Sequence, residues 1–168
     1  MSYFVFDDAL PMDHGLMKVV DGPSKLNSWI PKQEIPLVLG PLVKNAEKLF
    51  DLNEAAGFEL WTHNDTRPDW HFDKDEDSYK SKKKLSFPIC SMVYYVHIEN
   101  VFGGELYFKD GTRILPKVNR QLVFSPGLYH RVSAYQGSRI SLLLNPWKEQ
   151  PSGLATDETL LKQLQEII

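Results

Sequence analysis

The sequence predicts a mainly antiparallel β fold (a sandwich, barrel or jelly roll) with helices before and after it. Short runs rich in β-branched and aromatic residues recur between Phe58 and Trp147, with turn residues between them. Pro11, Pro23, Pro31, Pro36 and Pro41 exclude long helices before Leu42, because proline in a helix interior costs about 3 kcal/mol. Helical spacing of apolar residues is confined to two places, one after Leu42 and one at the end of the chain.

The elements follow in order. Tyr3–Phe6 is a short apolar run suited to an edge strand. Leu42, Val43, Ala46, Leu49 and Phe50 fall on one side of a helix and Lys44, Asn45, Glu47 and Lys48 on the other, with Gly57 closing the segment. Phe58–His63 alternates loosely, as a strand does. Ile89–Ile98 is the strongest strand, carrying Val93, Tyr94, Tyr95 and Val96. Gly103-Gly104 marks a turn or a close backbone approach, and Asp110-Gly111 a hairpin turn between Glu105–Phe108 and Thr112–Leu115. Gln121–Phe124, Tyr129–Tyr135 and Arg139–Leu144 complete the strands. Thr156–Ile168 opens on a Thr/Asp cap signal and spaces Leu160, Leu161, Leu164 and Ile167 as a helix. The reading is one domain over 1–168: helical and irregular support in 1–56, a β core in 57–147, and a C-terminal helix in 156–168.

Composition narrows the function. The chain has 168 residues, 42% apolar and 24% charged, which is globular usage. Its net charge of −3 gives no reason to expect nucleic acid as a partner, because phosphate binding needs a clustered basic face. One cysteine, Cys90, excludes a disulfide framework or a multi-cysteine zinc site, so any metal must be held by His, Asp or Glu. The start lacks a basic region and a long apolar run, no stretch reaches the roughly 18 apolar residues of a membrane span, and the expected setting is cytoplasmic.

Three places in the β region carry chemistry together. In His71-Phe72-Asp73, residues i and i+2 of an extended segment face one side. His130 supplies a second imidazole from a distant strand. Two imidazoles and one carboxylate on one face of an octahedron leave three positions open, the arrangement of non-haem Fe(II) oxygenases. Gln136-Gly137 can serve as a two-residue hairpin turn, with Tyr135 opposite Ser138 and Ala134 opposite Arg139. His130 and Arg139 then share a face, about 13 Å apart at roughly 3.3 Å per residue. A guanidinium there suits the far carboxylate of a diacid whose near end sits on a metal.

With these residues in this order, the segment from Phe58 to Trp147 resembles the Fe(II)/2-oxoglutarate-dependent dioxygenase superfamily, in its prolyl-4-hydroxylase-like branch. Tyr94-Tyr95, Phe102-Gly-Gly-Glu-Leu-Tyr107 and Leu122-Val-Phe-Ser-Pro126 before His130 strengthen the resemblance, and Arg139-Ile-Ser141 resembles the Arg-x-Ser signature of other branches. It implies a double-stranded β-helix, the cupin-like jelly roll. It implies Fe(II) held by His71, Asp73 and His130, and 2-oxoglutarate held by Arg139 and Ser141, with Tyr95 or its neighbour Tyr94 on the same carboxylate. It also implies O2 as oxidant, succinate and CO2 as products, and a hydroxylated C–H bond. The substrate stays open: a peptidyl proline or other residue, or a small molecule. Arg139 in place of the collagen-type lysine, and a compact chain, argue against collagen-like substrates. A cupin-type metal enzyme without 2-oxoglutarate and a non-catalytic binding module are the competing readings.

The remaining candidates read more plainly. His63 is expected on a strand surface. His14 and His97 lack partners at ligand spacing. Trp61 and Trp70 are core or rim aromatics, Cys90 a small buried hydrophobe, and Lys80 and Lys82–Lys84 a solvated loop.

Overall fold

The computed structural model describes residues 2–22, 25–64 and 67–167; Pro23 and Ile168, the last residue of the expected C-terminal helix, lie outside them. Six strands form the larger sheet: β1 (Tyr3–Phe6), β7 (Gln121–Phe124), β4 (Ser91–Gly103), β9 (Tyr135–Trp147), β3 (Gly57–Asn64) and β2 (Asn27–Pro31), in that order across it. A smaller sheet runs β6 (Arg113–Ile114), β5 (Leu106–Phe108) and β8 (His130–Val132). Every named strand pairing is antiparallel. The chain is mostly antiparallel β with a few helices, folded as a jelly roll.

Alternation along β4 explains the layers. Met92, Tyr94 and Val96 join the larger core, with Phe58, Leu60, Leu142 and Leu144. Helices cover that face: α2 (Gly40–Glu47) through Leu42 and Ala46, and α4 (Glu158–Gln165) through Leu160, Leu161 and Leu164. Val93 and Tyr95 point the other way, into a second core with Leu106, Phe108, Leu122, Phe124 and Val132 between the two sheets. Burial on both faces is why this strand reads as an unbroken apolar run. No helix among the described residues is long and apolar enough to cross a membrane.

The structure corrects several expectations. Gln136-Gly137 is not a hairpin turn. β8 ends at Val132, β9 starts at Tyr135, and the two lie in different sheets. Gln136 pairs with Phe102 and Arg139 with Ile98, because the outer half of the long β4 takes its partner from β9. The lysine run is only partly a loop. Lys80 and Lys82 lie on α3 (Glu76–Lys82), which Asp75 caps by accepting from Ser78 N at 3.0 Å, and Lys83 closes it with φ 54°. α1 (Met17–Val20) is also new, as is β2, an edge strand whose closing Pro31 hid it.

Candidate active site

Three neighbouring strands present an ordered face to the smaller sheet. Tyr95 of β4, Ser141 of β9 and His63 of β3 stand in one row, and Val93, Leu143 and Trp61 in the next. Ser91 and Glu59 continue that face by two residues along β4 and β3. From the smaller sheet, Leu106, His130 and Val132 close over it, and the segment before α3 adds Pro68 and His71.

His71 and His130 are fixed relative to each other by backbone. They form an antiparallel bridge, His71 N donating to His130 O at 2.9 Å and His130 N to His71 O at 2.8 Å. Both rings are then oriented alike. His71 Nδ1 lies 2.6 Å from Asp69 O, and His130 Nδ1 2.7 Å from Leu128 O. A carbonyl only accepts, so each Nδ1 carries a proton and Nε2 is the nitrogen turned toward the site. Those two Nε2 atoms face Asp73 Oδ1 at 3.7 and 3.9 Å. One ligand atom from each of the three residues falls within 4.8 Å of the others. Burial lowers the proton affinity of His130, against the pull of the Asp73 carboxylate, which favours the neutral ring a metal needs. Ser91 Oγ donates to Asp73 Oδ2 at 2.6 Å.

The other end of the cleft is basic and aromatic. Arg139 is buried, donates from Nη1 to Gly104 O at 2.7 Å, and lies over the Tyr95 and Tyr135 rings at 5.2 and 5.0 Å. Tyr95 Oη is buried beside the Arg139 guanidinium and makes no well-formed hydrogen bond among the described residues. Burial pushes that phenol up, and the Arg139 charge opposes the rise. A buried hydroxyl left unsatisfied costs about 1–3 kcal/mol, so a polar ligand is the natural occupant. The cavity is narrow, about 30 Å³, near one water's share of liquid volume. Anything much larger than a water would have to part side chains such as Leu106, Val132 and Leu143 to enter it. A second cleft of about 280 Å³ opens beside it, lined by Glu59, Trp61, His63, His71, Phe72, Asp73 and Lys74.

Of the six residues singled out for a metal or a diacid, His71, His130, Arg139, Ser141 and Tyr95 line the narrow cleft, and Asp73 meets the two imidazoles from the cleft beside it. Tyr95 is the tyrosine that faces it; Tyr94 points into the larger core, its hydroxyl donating to Asn119 Oδ1 at 2.7 Å. His63 was expected on the surface but lines both clefts, and burial lowers it to about 4. A bulge after Tyr95 separates His97 from that row, and His97 pairs with Glu99 at 3.4 Å. His14 accepts from Leu16 N through Nδ1 at 3.0 Å. Trp70 lies outside the cleft, stacked on Tyr129 at 5.7 Å. Cys90 is buried, its thiol pushed up to about 12 by burial. Ser91, Glu59 and Trp61 escape a search for ligand spacing, though counting back by twos from Tyr95 and His63 would have placed them on this face.

No family model and no curated protein matches the sequence. Solved structures do. A Pseudomonas putida prolyl-4-hydroxylase superposes with a TM-score of 0.60 at 18% identity, over 88% of this chain and 93% of that one. The fold is that of the prolyl hydroxylases. A Trichoplax adhaerens prolyl hydroxylase, solved with a hypoxia inducible factor peptide fragment, gives 0.58 at 14% identity over 87% and 83% of the two chains. The viral collagen prolyl hydroxylase of Paramecium bursaria Chlorella virus-1, solved with 2-oxoglutarate, gives 0.53 at 15% over 86% and 94%. The prolyl hydroxylase fold places its likeness in backbone rather than in sequence.

Proposed function

We propose that the chain is an Fe(II)- and 2-oxoglutarate-dependent oxygenase of the prolyl-4-hydroxylase-like branch, acting as one domain. One observation carries this reading: His71, Asp73 and His130 bring ligand atoms within 4.8 Å of one another, and the two histidines line a cleft whose other end holds Arg139 and Tyr95. The donor set fits a hard divalent iron, with two neutral imidazoles, one carboxylate and no thiol. The diacid end fits 2-oxoglutarate, because a buried guanidinium and the phenol beside it both recognise carboxylate. The two bound groups would together use O2 to oxidise a substrate C–H bond while 2-oxoglutarate leaves as succinate and CO2.

The chain's own part is orientation and exclusion. His71 and His130 keep their Nε2 atoms turned inward through the Nδ1 bonds to Asp69 O and Leu128 O. Arg139 and Ser141 hold the diacid tail, and Tyr95 donates to it. Val93, Leu106, Val132 and Leu143 keep water from the region between. The cleft over β3, walled by Trp61 and Phe72, admits the substrate. Structural likeness to prolyl hydroxylases, one of them holding a peptide, supports an aliphatic C–H bond of a peptide or small molecule as the target. The lone buried thiol suits a reducing cytoplasm.

Anaerobic addition of Fe(II) and 2-oxoglutarate tests the reading. The expected result is a weak visible charge-transfer band that Asp73→Ala abolishes. A folded wild-type protein without that band would remove the assignment.

A further inference from the structure

Ser91 touches the proposed metal site from behind. It is the first residue of β4, buried, and paired with Phe124 of β7, so its hydroxyl is held by the middle of the larger sheet. That hydroxyl donates to Asp73 Oδ2 at 2.6 Å, within the short range of a charge-assisted bond. The other carboxylate oxygen, Oδ1, is the one that faces both imidazoles.

We infer that Ser91 is a positioning residue, holding Asp73 so that a single oxygen faces the metal position; this rests on the reading above. The reasoning is geometric. A carboxylate that turns can offer two oxygens, and a two-oxygen grip would take one of the positions that an open triad must leave free. Occupying Oδ2 with a hydroxyl donor removes that option. A single strand face then serves both ends of the cleft. Ser91 orients the carboxylate, and Tyr95, four residues on, aims its hydroxyl at the diacid tail, about 13 Å away at roughly 3.3 Å per residue.

The rival is a purely structural bond between loop and sheet. Co(II) titration of the whole chain, followed by visible absorption without 2-oxoglutarate or turnover, separates the two. Ser91→Ala should weaken Co(II) binding about 10- to 100-fold and alter the shape of its band, as loss of a ligand's partner does. The unfolding midpoint of the metal-free protein should hardly move. Ser91→Thr, which keeps the hydroxyl donor, should retain most of the wild-type affinity. In an Asp73→Ala background the Ser91→Ala change should cost nothing further, as a double-mutant cycle requires. Unchanged Co(II) affinity in Ser91→Ala would overturn the inference alone. So would a loss of affinity matched by an equal loss of metal-free stability. A wild-type protein that binds neither Co(II) nor Fe(II) overturns the functional reading and this inference with it.

Discussion

Tyr95 and Arg139 form the pair on which single-residue chemistry is most exposed. The Tyr95 hydroxyl is buried beside Arg139 without a well-formed hydrogen bond among the described residues, and a buried hydroxyl left unsatisfied costs about 1–3 kcal/mol. Tyr95→Phe should therefore leave the metal-free protein as stable or more stable, by about 1 kcal/mol. It should also weaken 2-oxoglutarate binding roughly tenfold or more, since a hydrogen bond to a charged group contributes about 1.5–3 kcal/mol. Denaturant unfolding and a 2-oxoglutarate titration read the two effects. A destabilised Tyr95→Phe would mean the hydroxyl already has its partner inside the protein. Arg139→Lys keeps the charge and loses the planar fork. Its expected outcome is a rise of about tenfold in the KM for 2-oxoglutarate with metal affinity unchanged; an unaltered KM would remove Arg139 from the diacid site. The sequence showed these residues because a strand repeats every two positions, so Arg139 and Ser141 had to share a face. Tyr94 and Tyr95 could not be told apart, since a strand buried on both sides has no polar face to set the phase.

Elements explain why the glycines stand where they do. Gly103-Gly104 ends β4 as the chain turns into β5, and both residues have positive φ, 85° and 74°. A Cβ on Gly103 would meet Ala134 O at 2.2 Å, a backbone atom that cannot yield. A Cβ on Gly104 would meet Arg139 Nη1 at 2.9 Å, the end of a movable side chain. The two substitutions should therefore differ. Gly103→Ala should lower the unfolding midpoint sharply. Gly104→Ala should cost less stability and more 2-oxoglutarate affinity, by pushing the guanidinium aside. Equal losses of stability in the pair would show that backbone strain, and not the Arg139 contact, decides both. The sequence flagged this pair as a close approach but could not name the partner. The expected Gln136-Gly137 hairpin failed for a related reason. Gly137 has φ 98° and sits with its α-carbon against Asn100 of β4, where a side chain would strike Asn100 O at 2.2 Å. The glycine marks close packing of two long strands, a role that turn statistics cannot separate from a turn.

At the scale of the whole molecule, the grouping of His71, Asp73 and His130 was legible and the path that brings them together was not. His130 and Arg139 do line one cleft, yet no hairpin joins their strands. They meet because the two sheets face each other, a long-range arrangement absent from any local pattern. The same enclosure has a measurable consequence for pH. His63, His14 and His130 all have lowered proton affinity, with burial the largest cause in each. For His63 the folded value is about 4, against about 6.5 in an unfolded chain. Between those limits the unfolded state takes up a proton that the folded state refuses, so stability rises with pH across that window. The stabilisation is complete above about pH 6.5 and is lost as pH falls toward 4. For His63 alone the full loss is on the order of 3 kcal/mol at about 1.4 kcal/mol per pH unit. Urea unfolding of the metal-free protein at pH 7.5, 6 and 4.5 should therefore show midpoints that fall toward acid, and His63→Gln should flatten that fall. A His63→Gln profile that is as steep as the wild type would locate the acid sensitivity elsewhere in the fold. With Co(II) present the wild-type fall should steepen, because protons compete with the metal for its ligands.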